Sequence, residues 1–287
     1  MTAARNVAIT GVTGSQGGAA AKHLRAAGWT VRGLTRSLDG KRAQRAREAG
    51  VELVQGDMSD VAALDRFLAG AYGVYGVTDF LTNGLRREVE QGKLLAEAAT
   101  RAGVRHFVFP SIALADKRTG VPYFEAKAAI EREVAAASLP ATILRPVMFM
   151  EDLVDAKYAP PMWWGTMRRM VGADKKLCWI AIDDLGAIAA RVFADPQAHI
   201  GQAYTVAGDC RSIAEAADIF KRVSGKRPLA IPIPLWLIRR VVSADVVPMW
   251  EWMGKNPVTV DLEPARRILP EIMDMERWLR TRSGASA

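Results

Sequence analysis

The stretch "ITGVTGSQGG" (residues 9–18) constrains this chain more than any other. It puts glycines at 11, 14, 17 and 18, between the β-branched run "NVAIT" (6–10) and an alanine-rich helical run. Gly11 permits a tight turn, and Gly14 lets backbone approach a pyrophosphate. Gly17 and Gly18 allow a helix to lie close against the strand. The free N–H groups at the helix start, aided by its dipole, then face the phosphates. A strand–turn–helix that binds a nucleotide is the expectation from these ten residues.

The rhythm of the first half agrees. Strand-like runs stand at 6–10, 30–36, 51–57, 73–79, 106–111 and 141–146, with helix-like segments near 16–27, 41–49, 60–69, 86–102 and 123–137. Such alternation implies right-handed βαβ units and an α/β fold with a doubly wound parallel sheet. After about residue 150 prolines cluster, and seven of the eight tryptophans follow residue 160. The expected division is a dinucleotide-binding domain over 1–157 and a smaller, irregular C-terminal substrate or interaction lobe over 158–287. "DDLGAIAARVFADP" reads as a helix over 183–195 that returns to pack on the sheet, and "GQAYTVAG" (201–208) as a further strand. The tail "SGASA" reads as disordered.

Composition narrows the functional classes. The +8 net charge is scattered over short pairs such as Arg86-Arg87, Arg168-Arg169 and Arg239-Arg240. A nucleic-acid binder concentrates such charge on one element, so nucleic acid is not expected as a partner. A positive field also attracts a phosphate-bearing cofactor. The apolar stretch 228–242 is broken by Pro232, Pro234, Arg239 and Arg240, so no membrane span is expected. Strand-like residues begin at position 6, so no signal peptide is expected. Cys178 and Cys210 lack metal-type or redox-type spacing, which points to a reducing cytoplasm. His23, His106 and His199 are isolated, so no metal site is expected. The chain lacks a P-loop lysine, since Lys22 comes too late, and "TGSQG" lacks the leading glycine of a hydrolase elbow.

The second strand ends in Thr35-Arg36-Ser37, with Lys41 and Arg42 just beyond. An NAD site places an acid here for the ribose hydroxyl, whereas a planar, permanently charged guanidinium suits a 2′-phosphate. The cofactor expected is therefore NADP(H).

"GVTGSQGG", "TRS", "VELVQGDMSD", "VTDF", "EVEQGKLLAEAATRAGVRHFVFPS" and "ILRPVMFMEDL" together resemble the NmrA-like family of atypical short-chain dehydrogenases/reductases, over about residues 5–155 and more loosely beyond. The resemblance implies a Rossmann fold. It implies that Gly11, Thr13, Gly14, Gln16 and Gly17 cradle the pyrophosphate and that Arg36 and Lys41 hold the 2′-phosphate. Asp57 and Met58 would border the adenine and Thr78 the cofactor ribose, with Ser15, Ser37, Pro146 and Phe149 also expected among the cofactor-binding residues. The family holds both NADPH-dependent reductases and proteins that bind NADP without turnover.

"YFEAK" (123–127) bears on that choice. Pro122 suits a helix start, and at 100° per residue Tyr123, Lys127, Ile130 and Val134 share one stripe, opposite Glu125 and Arg132. A lysine on an inward stripe needs a partner. In related reductases this lysine bonds the nicotinamide ribose, and the expectation here is that its ammonium, together with the positive nicotinamide of the oxidised cofactor, favours the phenolate of Tyr123. Ser111 ends the fifth strand, where ligands bind in open α/β sheets. Its alternatives are a hydrogen bond to the acceptor and a cap for local backbone. The favoured function is an NADPH-dependent reductase passing hydride to an apolar carbonyl, quinone, imine or activated alkene, with Tyr123, Lys127 and Ser111 as catalytic residues. The alternative is a non-catalytic NADP(H)-sensing regulatory protein that signals to a protein partner.

Met148, Phe149 and Met150, with "PPMWWG" (160–165) and "VVPMWEWMG" (246–254), supply aromatic and methionine surface for a flat acceptor or for plain core packing. Glu151 and Asp152 read as a helix start. The amphipathic segment 235–242 suits a lid, a homodimer face or a partner groove.

Overall fold

The computed structural model describes residues 5–156, 160–231, 233–241, 245–256 and 258–283. The first half runs β1 (Asn6–Ile9), α1 (Ser15–Ala26), β2 (Thr30–Thr35), α2 (Lys41–Glu48), β3 (Glu52–Gln55), α3 (Val61–Leu68), β4 (Gly73–Tyr75), α4 (Phe80–Asn83), α5 (Leu85–Arg101), β5 (His106–Pro110), α6 (Pro122–Ala136) and β6 (Ala141–Pro146). The second half runs β7 (Met148–Phe149), a 3₁₀ turn (Met150–Leu153), α7 (Pro160–Met170), β8 (Lys176–Ile180), α8 (Ile182–Ala194), α9 (Pro196–His199), β9 (Ala203–Val206), β10 (Asp209–Ser212), α10 (Ile213–Ser224), α11 (Leu235–Val241), α12 (Val246–Lys255), α13 (Glu263–Ile268) and α14 (Met275–Ser283).

Seven strands form one sheet in the order β3-β2-β1-β4-β5-β6-β9, every pair parallel. Strand order reverses between β1 and β4, which opens a crevice at the carboxyl ends of the strands. The central strands are buried on both faces, as their apolar runs require. Helices α1 and α8 cover one face and α3, α5 and α6 the other. The helix read at 183–195 does return to the sheet, where Lys22 of α1 holds Asp183 at 2.7 Å. The strand read at 201–208 joins the sheet edge as β9.

The second sheet, in the order β10-β8-β7, carries a separate apolar core with α7, α10, α12 and α14. Glu151, in the 3₁₀ turn, accepts the Ile182 N–H at 3.1 Å with each carboxylate oxygen, so it begins a helix and also caps α8. The boundary expected at 157/158, Pro232, the end of segment 235–242 and the tail beyond Ser283 lie outside the described residues.

The cysteines correct the sequence reading. Cys178 on β8 and Cys210 on β10 face each other across the antiparallel pair and form a disulfide, with Cα atoms 4.0 Å apart. Spacing in the chain hid a pairing made by strand register. These cysteines therefore no longer argue for a reducing compartment. No helix among the described residues is long and apolar enough to cross a membrane, and none of their His, Cys, Asp and Glu side chains form a group that could hold a metal ion.

Candidate active site

The glycine turn is built as its sequence demands. Gly11 takes φ +61°, which most side chains avoid, and its carbonyl accepts the Gly14 N–H at 2.9 Å. A Cβ on Gly17 would stand 2.4 Å from the Gly11 carbonyl oxygen, so only glycine lets α1 start this close to the strand. Gly18 has ordinary room, and the close approach expected of both glycines belongs to Gly17 alone.

A groove of about 1440 Å³ runs from this turn across the carboxyl ends of the strands. Its walls include Gly11, Thr13, Gly14, Ser15, Gln16, Gly17, Arg36, Ser37, Asp57, Met58, Thr78, Ser111, Tyr123, Lys127, Pro146 and Phe149. The structure thus brings these sequence-selected residues to one cavity. It leaves out Lys41, which starts α2 as an exposed side chain, whereas Arg42 and Arg45 from the same helix do line the groove. Burial alone would raise the Asp57 carboxyl, but hydrogen bonds from Ser59 and the charges of Arg87 and Arg36 hold it below its ordinary range.

At the other end three elements converge. Lys127 Nζ donates to Thr78 Oγ1 at 2.8 Å and lies 2.8 Å from Glu88 Oε1. The Thr78 hydroxyl donates to that same carboxylate oxygen at 2.8 Å. The lysine and glutamate side chains are 5% and 0% exposed, and Nζ also sits 5.6 Å from the centre of the Phe109 ring. Local helix patterns deliver both charges. Lys127 shares a buried stripe with Ile130 and Val134, and Glu88 shares one with Gly92, Leu95 and Ala99. The inward stripe expected for Lys127 is present, and its partner is Glu88, to which the sequence reading gave no role. Thr78, expected beside the cofactor ribose, commits its hydroxyl to this triad while still lining the groove.

Tyr123 packs on Phe80 with ring centres 4.2 Å apart. Its phenol is held well above its ordinary pKa, first by burial and then by the Glu88, Asp152 and Asp79 carboxylates. The chain's own charges run against the expected phenolate: the Lys127 ammonium is already matched by Glu88, and Glu88, Asp152 and Asp79 all act on the phenol. Ser111 is 5% exposed, and its Oγ has no hydrogen-bond partner among the described residues. No backbone-capping bond is made by this hydroxyl.

Met148 and Phe149 line the groove with Met162, Trp163, Met249 and Trp250. Met150, expected there too, is fully buried in the core of the second lobe. Trp164 likewise packs inward and donates to the Leu153 carbonyl at 3.1 Å.

The NmrA-like family matches residues 3–278. A (4-alkanoyl-5-oxo-2,5-dihydrofuran-3-yl)methyl phosphate reductase of Streptomyces griseus subsp. griseus is 32% identical over 227 residues, covering 78% of this chain and 75% of its own. The triphenylmethane reductase of Citrobacter sp., crystallised with NADP(H), superposes with a TM-score of 0.80 at 20% identity, covering 96% of this chain and 99% of its own. NmrA, a negative transcriptional regulator crystallised with NADP, superposes with a TM-score of 0.78 at 21% identity over 97% and 95% of the two chains. With a match over nearly its whole length and a fold shared with these proteins, the chain belongs to the NmrA-like family.

Proposed function

We propose that this chain is an NADPH-dependent reductase acting on a flat, apolar carbonyl, quinone, imine or activated alkene. The observation that carries this reading is a single groove with arginines at one end, the glycine turn in the middle, and Ser111, Tyr123 and Lys127 at the other. The residues fit the dinucleotide. The close Gly11–Gly17 approach seats the start of α1 against the turn, where its free N–H groups can serve phosphates, and Arg36, Arg42 and Arg45 suit a 2′-phosphate. Bound there, the reduced cofactor supplies a hydride.

The chain's own residues do the rest. Nζ of Lys127 donates to Thr78 and is ion-paired with Glu88, and its remaining donor capacity can serve a ribose hydroxyl in the groove. Tyr123, kept neutral, retains its proton for the acceptor. Ser111 offers an unpartnered buried hydroxyl, and a hydrogen bond to an acceptor oxygen or nitrogen relieves a cost of about 1–3 kcal/mol. Met148, Met162 and Trp163 give the acceptor an apolar wall.

A second reading is a non-catalytic NADP(H)-sensing protein, since a dinucleotide groove of this kind serves either role. An NADPH-oxidation screen with quinones, enones, imines and aromatic aldehydes separates the two. A reductase turns over steadily, and Tyr123→Phe lowers turnover at unchanged NADPH affinity. A sensor binds NADPH and oxidises none.

A further inference from the structure

We propose that Glu88 is a positioning residue of this site: through its ion pair with Lys127 and its hydrogen bond from Thr78 it holds the ammonium at the groove wall and offsets its charge one helical turn from Tyr123. The role given to Lys127 and Tyr123 rests on the reductase reading above.

Three 2.8 Å contacts close a triangle between Lys127 Nζ, Thr78 Oγ1 and Glu88 Oε1, and its corners come from three separate elements. The hydrogen bond to Thr78 and the ion pair with Glu88 together hold the ammonium in place at the groove wall. Lys127 lines the groove, whereas Glu88 lies behind it, does not line it and has no exposed surface. Glu88 therefore acts through Lys127 rather than by touching a ligand. Its second oxygen has no hydrogen-bond partner among the described residues, so the carboxylate is held for its charge and for its one shared contact. The charged groups acting on the Tyr123 phenol are Glu88 from α5, Asp152 from the 3₁₀ turn and Asp79 before α4, and Lys127 stands one turn along the same helix. Removing Glu88 alone leaves the lysine charge unmatched near the phenol. The lysine is then free to swing, and the tyrosine becomes easier to ionise.

The test uses the whole protein in two arms. In the first, Glu88→Gln lowers kcat at least about 10-fold with acceptor KM within about 3-fold, and brings the alkaline limb of the pH–rate profile down by one unit or more. In the second, which needs no turnover, absorbance at 295 nm is followed as pH rises. Glu88→Gln gains a tyrosinate step below about pH 11 that vanishes in the Glu88→Gln/Tyr123→Phe protein. If Glu88→Gln does not fold, Glu88→Asp, which withdraws the carboxylate by one methylene, shows the same step and at least a 3-fold loss of kcat. A folded variant with the wild-type tyrosine titration overturns the proposal. A wild-type protein that oxidises no acceptor overturns the reductase reading instead, and the absorbance arm still judges Glu88.

Discussion

Lys127 and Glu88 form an ion pair of 2.8 Å with almost no solvent around either side chain. Desolvating two charges is expensive, and a buried pair repays it only while both partners remain. The isolated Lys127→Met change leaves a buried carboxylate alone and is expected to cost about 3–5 kcal/mol. The Glu88→Gln/Lys127→Met protein, with neither charge, is expected to lose clearly less than the sum of its two single variants. Denaturant melts of the four proteins check this, and strict additivity contradicts the pairing.

Arg36 follows β2 and lines the end of the groove where an NAD site would carry an acid. A guanidinium–phosphate hydrogen bond is worth about 1.5–3 kcal/mol, on the order of 10- to 100-fold in affinity. Arg36→Ser is expected to weaken NADPH binding by that factor and leave NADH binding nearly unchanged. Titration calorimetry with both cofactors measures the ratio, and equal loss for both removes Arg36 from 2′-phosphate recognition.

Gly17 admits no side chain, because a Cβ there meets the Gly11 carbonyl oxygen at 2.4 Å and the Val12 nitrogen at 2.8 Å. Both obstacles are backbone, so the turn itself must shift. Gly17→Ala is expected to lower NADPH affinity at least about 10-fold, whereas Gly18→Ala, with 3.5 Å to its nearest neighbour, changes it little. Equal effects of the two substitutions contradict this assignment.

The sheet and the glycine turn were legible because both rest on local rules. Strand and helix periods differ, and a turn between them that must admit a pyrophosphate leaves glycines at fixed offsets. The inward face of α6 was legible for the same reason, through the spacing of Lys127, Ile130 and Val134. What stayed hidden was set by register and by neighbouring helices. Cys178 and Cys210 are 32 residues apart and meet only because β8 and β10 pair antiparallel. Lys41 and Arg42 are adjacent, and only the start of α2 decides which of them faces the groove. Glu88 did leave a signal: it is an acid on the buried stripe of α5, a helix that packs against the helix carrying an inward lysine. Matching the two stripes would have found the pair.

Asp184 gives the fold a pH dependence of known sign. Burial is the main cause that lifts its carboxyl from 3.8 to about 6, against a hydrogen bond from the Met273 N–H and with a further push from Asp183. The folded chain keeps this proton up to about pH 6, and the unfolded chain releases it near its ordinary value. The stability that Asp184 contributes is therefore full below about pH 4 and is lost as pH rises through about 6. Wild-type Tm is expected to fall more between pH 4 and pH 7 than that of Asp184→Asn, which cannot ionise. Parallel Tm profiles contradict the assignment.

The most direct measurement is the fate of the hydride. With NADPH deuterated at C4 on the transferred face and an acceptor that is consumed, the reductase account predicts one deuterium in the product per cofactor oxidised and a slower rate than with unlabelled NADPH. Tight binding of NADPH, with no acceptor reduced and no label transferred, contradicts it.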